Sequence, residues 1–193
     1  MNIQAGPYDQ RGIESRDDVL VYTSPVLTEP LEITGRVKVE LFASSSALDT
    51  DWTAKLCDVY PDGRSMLVLD GIRRAKFRDS YEQARLLEPE RVYRFEIDLW
   101  STALVFNAGH RIRLSISSSN NPRFDPNDNS GLPLRQGNQA VLAHNRVYRD
   151  RAHLSRLILP VTSPDEHGLF PPPRLNEPRL WLLDQWGGVR VTR

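Results

Sequence analysis

Along ITGRVKVEL at residues 33–41, apolar side chains at 33, 37, 39 and 41 alternate with Arg36, Lys38 and Glu40. A period of two predicts a strand with one face buried and the other in water. The same alternation runs through residues 93–99 and 111–117, and less regular apolar runs at 53–60, 66–77, 140–147 and 154–159 also read as strands. Pro61-Asp62-Gly63 separates two of them and signals a hairpin, because glycine accepts positive φ. Helical periodicity is hard to find; residues 80–88, with Ala84, Leu86 and Leu87, are the one stretch that would take a short helix or turn. Many turn-punctuated strands with almost no helix predict an all-β fold, a jelly-roll β-sandwich occupying residues 1–160. Trp52 and Trp100 lie in or beside predicted strands and are assigned to its core.

The tail has a different texture. Pro164, Pro171, Pro172, Pro173 and Pro178 favour extended backbone without ladder bonds, so residues 161–193 read as a proline-rich C-terminal arm. Its Trp181 and Trp186 call for burial. Either they close this domain's own core, or they dock on another domain or subunit, which would make the arm a route to a homo-oligomer. A second irregularity lies at the end of the first strand. If Val37, Val39 and Leu41 face the core, Phe42 falls on the polar side beside Arg36, Lys38 and Glu40. An aromatic there marks contact with another surface, or a strand end twisted inward.

Composition narrows the partners. With 193 residues the chain can bury one substantial core, and 25 basic against 25 acidic residues leave no broad positive field for nucleic acid or an anionic membrane. Lys38, Lys55 and Lys76 are the only lysines; the arginine bias suits partly buried ion pairs and is equally the mark of codon bias. A lone Cys57 excludes an internal disulfide. No apolar run reaches the roughly 18 residues of a membrane span, and MNIQAGPYDQR lacks a signal-peptide core, so a soluble, cytoplasmic chain is expected.

Candidate chemistry is thin. The stretch SSSNNPRFDPNDNSG at 117–131 offers Asp125, Asn127 and Asn129 at the alternate spacing that opens an EF-hand, but the turn glycine falls one place late and Gln136 stands where the bidentate acid belongs. Asx side chains, prolines and Gly131 make it a structured turn, with a cation site of another kind as the competing reading. No G-x-S-x-G elbow is present; the nearest approach, Gly63-Arg64-Ser65, sits in a hairpin. His110, His144, His153 and His167 lack zinc spacing, and no phosphate-binding glycine loop occurs. Asp49 and Asp51 form an acid pair of the kind that ends strands, and nothing singles it out for glycoside hydrolysis. The inventory contains no catalytic residue, no metal site and no cofactor site.

Several blocks in order carry a resemblance: GPYDQR at 6–11, RDDVLVY at 16–22, LFASSSALDTDWTAK at 41–55, YPDGR at 60–64, GHRIR at 109–113 and the 117–131 loop. Together they resemble the C-terminal jelly-roll domain of the X-Pro dipeptidyl-peptidase and cocaine esterase superfamily of serine hydrolases, over roughly residues 6–160. The resemblance implies a galactose-binding-like sandwich attached to an α/β-hydrolase catalytic domain and a helical cap, with the Ser, Asp and His of the triad in the catalytic domain and none in this chain. It implies that Leu41 and Phe42 form part of an acyl-pocket wall, and that Asn121, Arg123, Phe124 and Asp125 lie in a loop facing the catalytic domain. The arm after residue 160 continues beyond the pattern. The reading from a different class is an autonomous carbohydrate-binding sandwich, for which exposed tryptophans would be the platform.

Overall fold

The structure, a computed structural model, describes residues 6–133 and 140–162, and the backbone of 179–183 and 189–192. One helical turn, α1 (Arg11–Glu14), precedes the strands β1 (Leu20–Thr23), β2 (Leu31–Ser45), β3 (Asp51–Val59), β4 (Ser65–Arg74), β5 (Tyr93–Phe106), β6 (Arg111–Ser117), β7 (Asn145–Tyr148), β8 (Arg156–Leu159), β9 (Arg179–Leu183) and β10 (Val189–Thr192). The first sheet has the order β1-β6-β3-β4; the second has the order β10-β9-β8-β2-β5, with β7 also pairing to β2. Every pairing is antiparallel.

The core is made by the inward positions of both sheets. Ile33, Val37, Val39 and Leu41 of β2 and Phe95, Ile97 and Leu99 of β5 meet Trp52, Ala54 and Leu56 of β3 and Ile112, Leu114 and Ile116 of β6. This is a β-sandwich. Its outer face on the second sheet is the charged half of the alternation read from the sequence: Lys38 bonds Glu96 at 2.9 Å, Arg36 pairs with Asp98, and Glu40 is held between Arg94 and Arg156.

Four readings need correction or extension. Trp100 is not in the core but 65% exposed. Arg36 pairs with Ser101 and Lys38 with Asp98, so Val37 alone opposes both Leu99 and Trp100. The indole follows the period of two set by the inward Phe95, Ile97 and Leu99 and so points outward, and the bulge then shifts the alternation by one for the residues after it. Trp100 takes φ 70° there, a left-handed conformation that costs a bulky residue about 1–2 kcal/mol. The run 66–77 leaves the ladder after Arg74 and finishes as a 3-10 turn at Ala75–Phe77. Residues 80–88 form no helix; too short to nucleate one, they are tied down by Arg85 N–H to the Lys76 carbonyl at 2.7 Å. Strand β7 starts only at Asn145; ahead of it Val141 N–H is spent on the Asp128 carbonyl, 2.8 Å away.

Of the arm, residues 163–178 and Trp186 lie outside the described residues. Within the described residues β9 hydrogen-bonds to β8, pairing Trp181 with Leu157, and β10 to β9, so backbone beyond residue 160 continues the second sheet. No described helix is long and apolar enough to cross a membrane.

Cys57 is fully buried on the outer side of β3, where burial first, and the nearby Glu14 carboxylate second, push its thiol up to about 12. A thiol stays unreactive while protonated. Iodoacetamide at about pH 8.5, near the free-thiol value, is therefore expected to leave the native chain unlabelled and to label it once in denaturant. Fast labelling under native conditions would contradict this burial.

Candidate functional site

The loop from Ser118 to Pro133 is fixed to the end of the first sheet by a buried ionic cluster. Strand pairing sets Asp51 opposite Arg74, and Arg74 grips that carboxylate with Nε at 2.8 Å and a terminal nitrogen at 2.9 Å. The same contact raises the guanidinium above its usual value. Two residues earlier Asp49 accepts the Lys76 backbone N–H at 2.9 Å, with the Lys76 ammonium 3.4 Å from its other oxygen. The loop closes on this cluster. Asn127 Nδ2 donates to Asp49 at 3.1 Å and to Asp51 at 2.9 Å, Lys76 Nζ donates to the Leu132 carbonyl at 2.8 Å, and Arg74 reaches the Asp125 carbonyl at 3.3 Å. Sequence reading passed over Asp49 and Asp51 because their partners come from another strand and a distant loop.

Inside the loop the turn chemistry is local. Asn127 Oδ1 accepts Asn129 N–H, and Asp128 Oδ1 accepts the Ser130 N–H and hydroxyl, which hold the Asp128 carboxyl below its usual range. Gly131 takes φ 81°, and a Cβ on it would meet Leu86 Cδ2 at 2.7 Å. The Asp128 carboxylate is thus engaged by internal donors, which a cation would have to displace. Among the described residues no group of three or more His, Cys, Asp or Glu is placed to hold a metal.

The predicted site residues fall into two places. Asn121, Arg123, Phe124 and Asp125 are together on the loop: Asn121 precedes a cis proline, the Arg123 guanidinium lies 5.6 Å from the Phe124 ring, and Arg123 Nε reaches Asp70 at 3.2 Å. Leu41 and Phe42 belong to the second sheet. Leu41 is fully buried in the core, whereas Phe42 is half-buried on the outer face. The Phe42 ring stands edge-on to His153 with centroids 5.8 Å apart, His153 lies 5.5 Å from Tyr148, and the Phe42 N–H donates to Ser155 Oγ at 2.9 Å.

The nearest approach to catalytic geometry is His110, whose Nδ1 lies 2.8 Å from Asp58 and whose ring packs 4.5 Å from Tyr60. Among the described residues no hydroxyl or thiol bonds to this imidazole, and a base without a nucleophile in reach does no acyl transfer. His110 holds strand ends together: its carbonyl accepts Leu27 N–H at 2.8 Å.

What the loop does offer is apolar surface. Leu48, Leu86, Leu132, Val141 and Leu142 are all exposed. They gather where Gly131 touches Leu48 and Leu86 and where Val141 bonds to Asp128.

Residues 2–158 match the model of the X-Pro dipeptidyl-peptidase C-terminal non-catalytic domain. The chain is 47% identical over 158 residues to the cocaine esterase of Rhodococcus sp. (strain MB1 Bresler), covering 81% of this chain and 28% of the esterase. Among solved structures it is similar to an aminopeptidase from a marine sediment archaeon, Thaumarchaeota archaeon, with a TM-score of 0.78, 31% identity, and coverage of 81% of this chain and 28% of that one. An α-amino acid ester hydrolase gives a TM-score of 0.77 at 33% identity, over 80% of this chain and 27% of that one. The chain therefore spans little more than a quarter of the length of these relatives. It belongs to the family of X-Pro dipeptidyl-peptidase C-terminal non-catalytic domains.

Proposed function

We propose that this chain is the supporting domain of a serine hydrolase, packing against an α/β-hydrolase catalytic domain that cleaves an acyl ester or amide. The observation that carries the reading is the apolar rim of Leu48, Leu86, Leu132, Val141 and Leu142 around a loop that a buried ionic cluster makes rigid. Exposed apolar side chains gathered on one end of a sandwich favour a protein partner, and a rigid loop loses little entropy on docking. Asn121, Phe124 and Asp125 extend this surface, while Arg123 turns along the loop to Asp70. Phe42 supplies a ring to the wall of the partner's acyl pocket, and Leu41, locked in the core behind it, fixes the strand that carries it. Its role is to shape and dry a site whose nucleophile lies elsewhere.

The test is a replacement. With this chain substituted for the corresponding segment of the Rhodococcus esterase, ester hydrolysis is expected to persist. In that hybrid Phe42→Ala lowers kcat/KM for aromatic acyl esters about tenfold, the scale of one lost apolar contact, and leaves small acyl esters nearly unchanged. Leu86→Asp with Leu132→Asp dissociates the domains and abolishes the activity. The isolated chain should turn over neither nitrophenyl esters nor Xaa-Pro-nitroanilides; turnover stopped by a serine-directed inhibitor would overthrow the reading.

A further inference from the structure

Strands β4 and β5 are the edges of their two sheets and run along one flank of the sandwich. They close at one end. Arg73 Nε donates to the Glu96 carbonyl at 2.9 Å, and at Gly71 the backbones approach so nearly that a Cβ would sit 2.2 Å from the Asp98 carbonyl oxygen. Past Gly71 the strands separate, and a groove of about 600 Å³ opens, lined among others by Met66, Val68, Asp70, Trp100, Leu104 and Arg123. That volume is within the usual range for small-ligand sites.

Trp100 stands at the mouth of this groove, at the bulge, in a strained conformation. Its φ of 70° is unfavourable for a bulky residue, and its indole, 65% exposed, contributes nothing to the core. The bulge is nonetheless pinned: Trp100 N–H donates to Asp98 Oδ1 at 3.0 Å, and Arg36 holds Asp98 in turn. Strained, outward-facing residues at a bulge are characteristic of ligand clamps.

The polar groups define what the clamp would hold. The Asp70 carboxylate is fixed by Asn120 Nδ2 at 2.8 Å and Arg123 Nε at 3.2 Å, while the Arg123 side chain stays half exposed with donors to spare. Deeper in, Asp58 is bonded to His110. An anion entering the groove meets two carboxylates, and a cation meets the guanidinium. A neutral ligand with neighbouring hydroxyls satisfies both, accepting from Arg123 and donating to Asp70. Its flat C–H face lies against the indole, and Val68 and Leu104 complete an apolar wall. We propose that this groove is a binding site for a neutral saccharide, with a pyranose ring stacked on Trp100 and vicinal hydroxyls held by the Arg123–Asp70 pair.

Titration calorimetry of the chain against neutral hexasaccharides of β-1,4-linked glucose, xylose and mannose and of galactose tests this, with oligogalacturonate and chitosan hexamers as the charged comparison. At least one neutral hexasaccharide is expected to bind with Kd near or below about 1 mM. Trp100→Ala and Arg123→Met then weaken it at least about tenfold at an unchanged melting temperature, whereas Trp100→Phe keeps part of the affinity. Trp100→Gly, which removes the indole and the left-handed penalty together, should not bind and should melt no lower than the parent. Silence from every neutral hexasaccharide, tighter binding of a charged one, or binding that survives Trp100→Ala would each overturn the assignment.

Discussion

Asp49→Ala is expected to destabilise the chain by about 3–5 kcal/mol, the range for breaking a buried charge pair from one side. Asp49 is fully buried and the Lys76 side chain is 8% exposed. Without the carboxylate, the ammonium keeps the Gly131 and Leu132 carbonyls at 3.3 and 2.8 Å and the Phe77 ring 5.9 Å away, and the Lys76 backbone N–H loses its acceptor at 2.9 Å. An unpaired ammonium in that place is the dominant loss, because neutral carbonyls replace its hydration incompletely. Removing both charges tests the attribution: Asp49→Ala with Lys76→Met should be less harmful than the sum of the two single changes by at least about 1 kcal/mol. The 118–133 loop should also become accessible to limited proteolysis in Asp49→Ala, since Asn127 and Lys76 are what close it. Urea denaturation giving a loss below about 0.5 kcal/mol, within the range of an ordinary surface change, would show that the cluster contributes nothing to stability.

How legible this was in the sequence depended on where each residue's partner lies. The alternation at 33–41, 93–99 and 111–117 reports burial on one face directly, and β2, β5 and β6 contain those stretches. Trp100 was misassigned against that same period, which with Phe95, Ile97 and Leu99 inward puts residue 100 outward; its hydrophobicity outweighed its phase, and the bulge that flips the phase of the residues after it has no local signal. Strand β1 was overlooked; four residues at a sheet edge carry too little periodicity. The turn character of 117–131 could be read from Asx residues and glycine, whose bonds are local. Its anchoring on Asp49, Asp51, Arg74 and Lys76 could not, because these meet only through the β3–β4 register. Phe42 was legible as an irregularity, an aromatic on a charged face, while Leu41 behind it followed the core pattern. The family resemblance rested on block order and therefore survived each of these local misreadings.

Among the described glycines, Gly71→Ala should be the most damaging added methyl, at about 3 kcal/mol or more, the upper range for overpacking. The cause is steric, since Gly71 has an ordinary φ. Its Cβ would lie 2.2 Å from the Asp98 carbonyl oxygen, 3.0 Å from the Asp98 carbonyl carbon and 2.9 Å from Leu99 Cδ2. The first two atoms are β5 backbone in register with Lys38 of β2, so relief requires moving a paired strand and not a side-chain tip. The lower entropy of an unfolded alanine returns at most about 1 kcal/mol. Two other glycines separate this cause from its alternatives. Gly63→Ala meets nothing within 4 Å but must hold φ 87°, so it should lose only the left-handed penalty of about 1–2 kcal/mol. Gly12→Ala, in a short helix with open space around it, should be neutral or slightly stabilising. The expected order of melting temperatures is thus Gly12→Ala above Gly63→Ala above Gly71→Ala. If Gly71→Ala melted with Gly63→Ala, the two sheet edges would not be clasped at this point. The opening of the flank beyond it, where Trp100 stands, would then need another pivot.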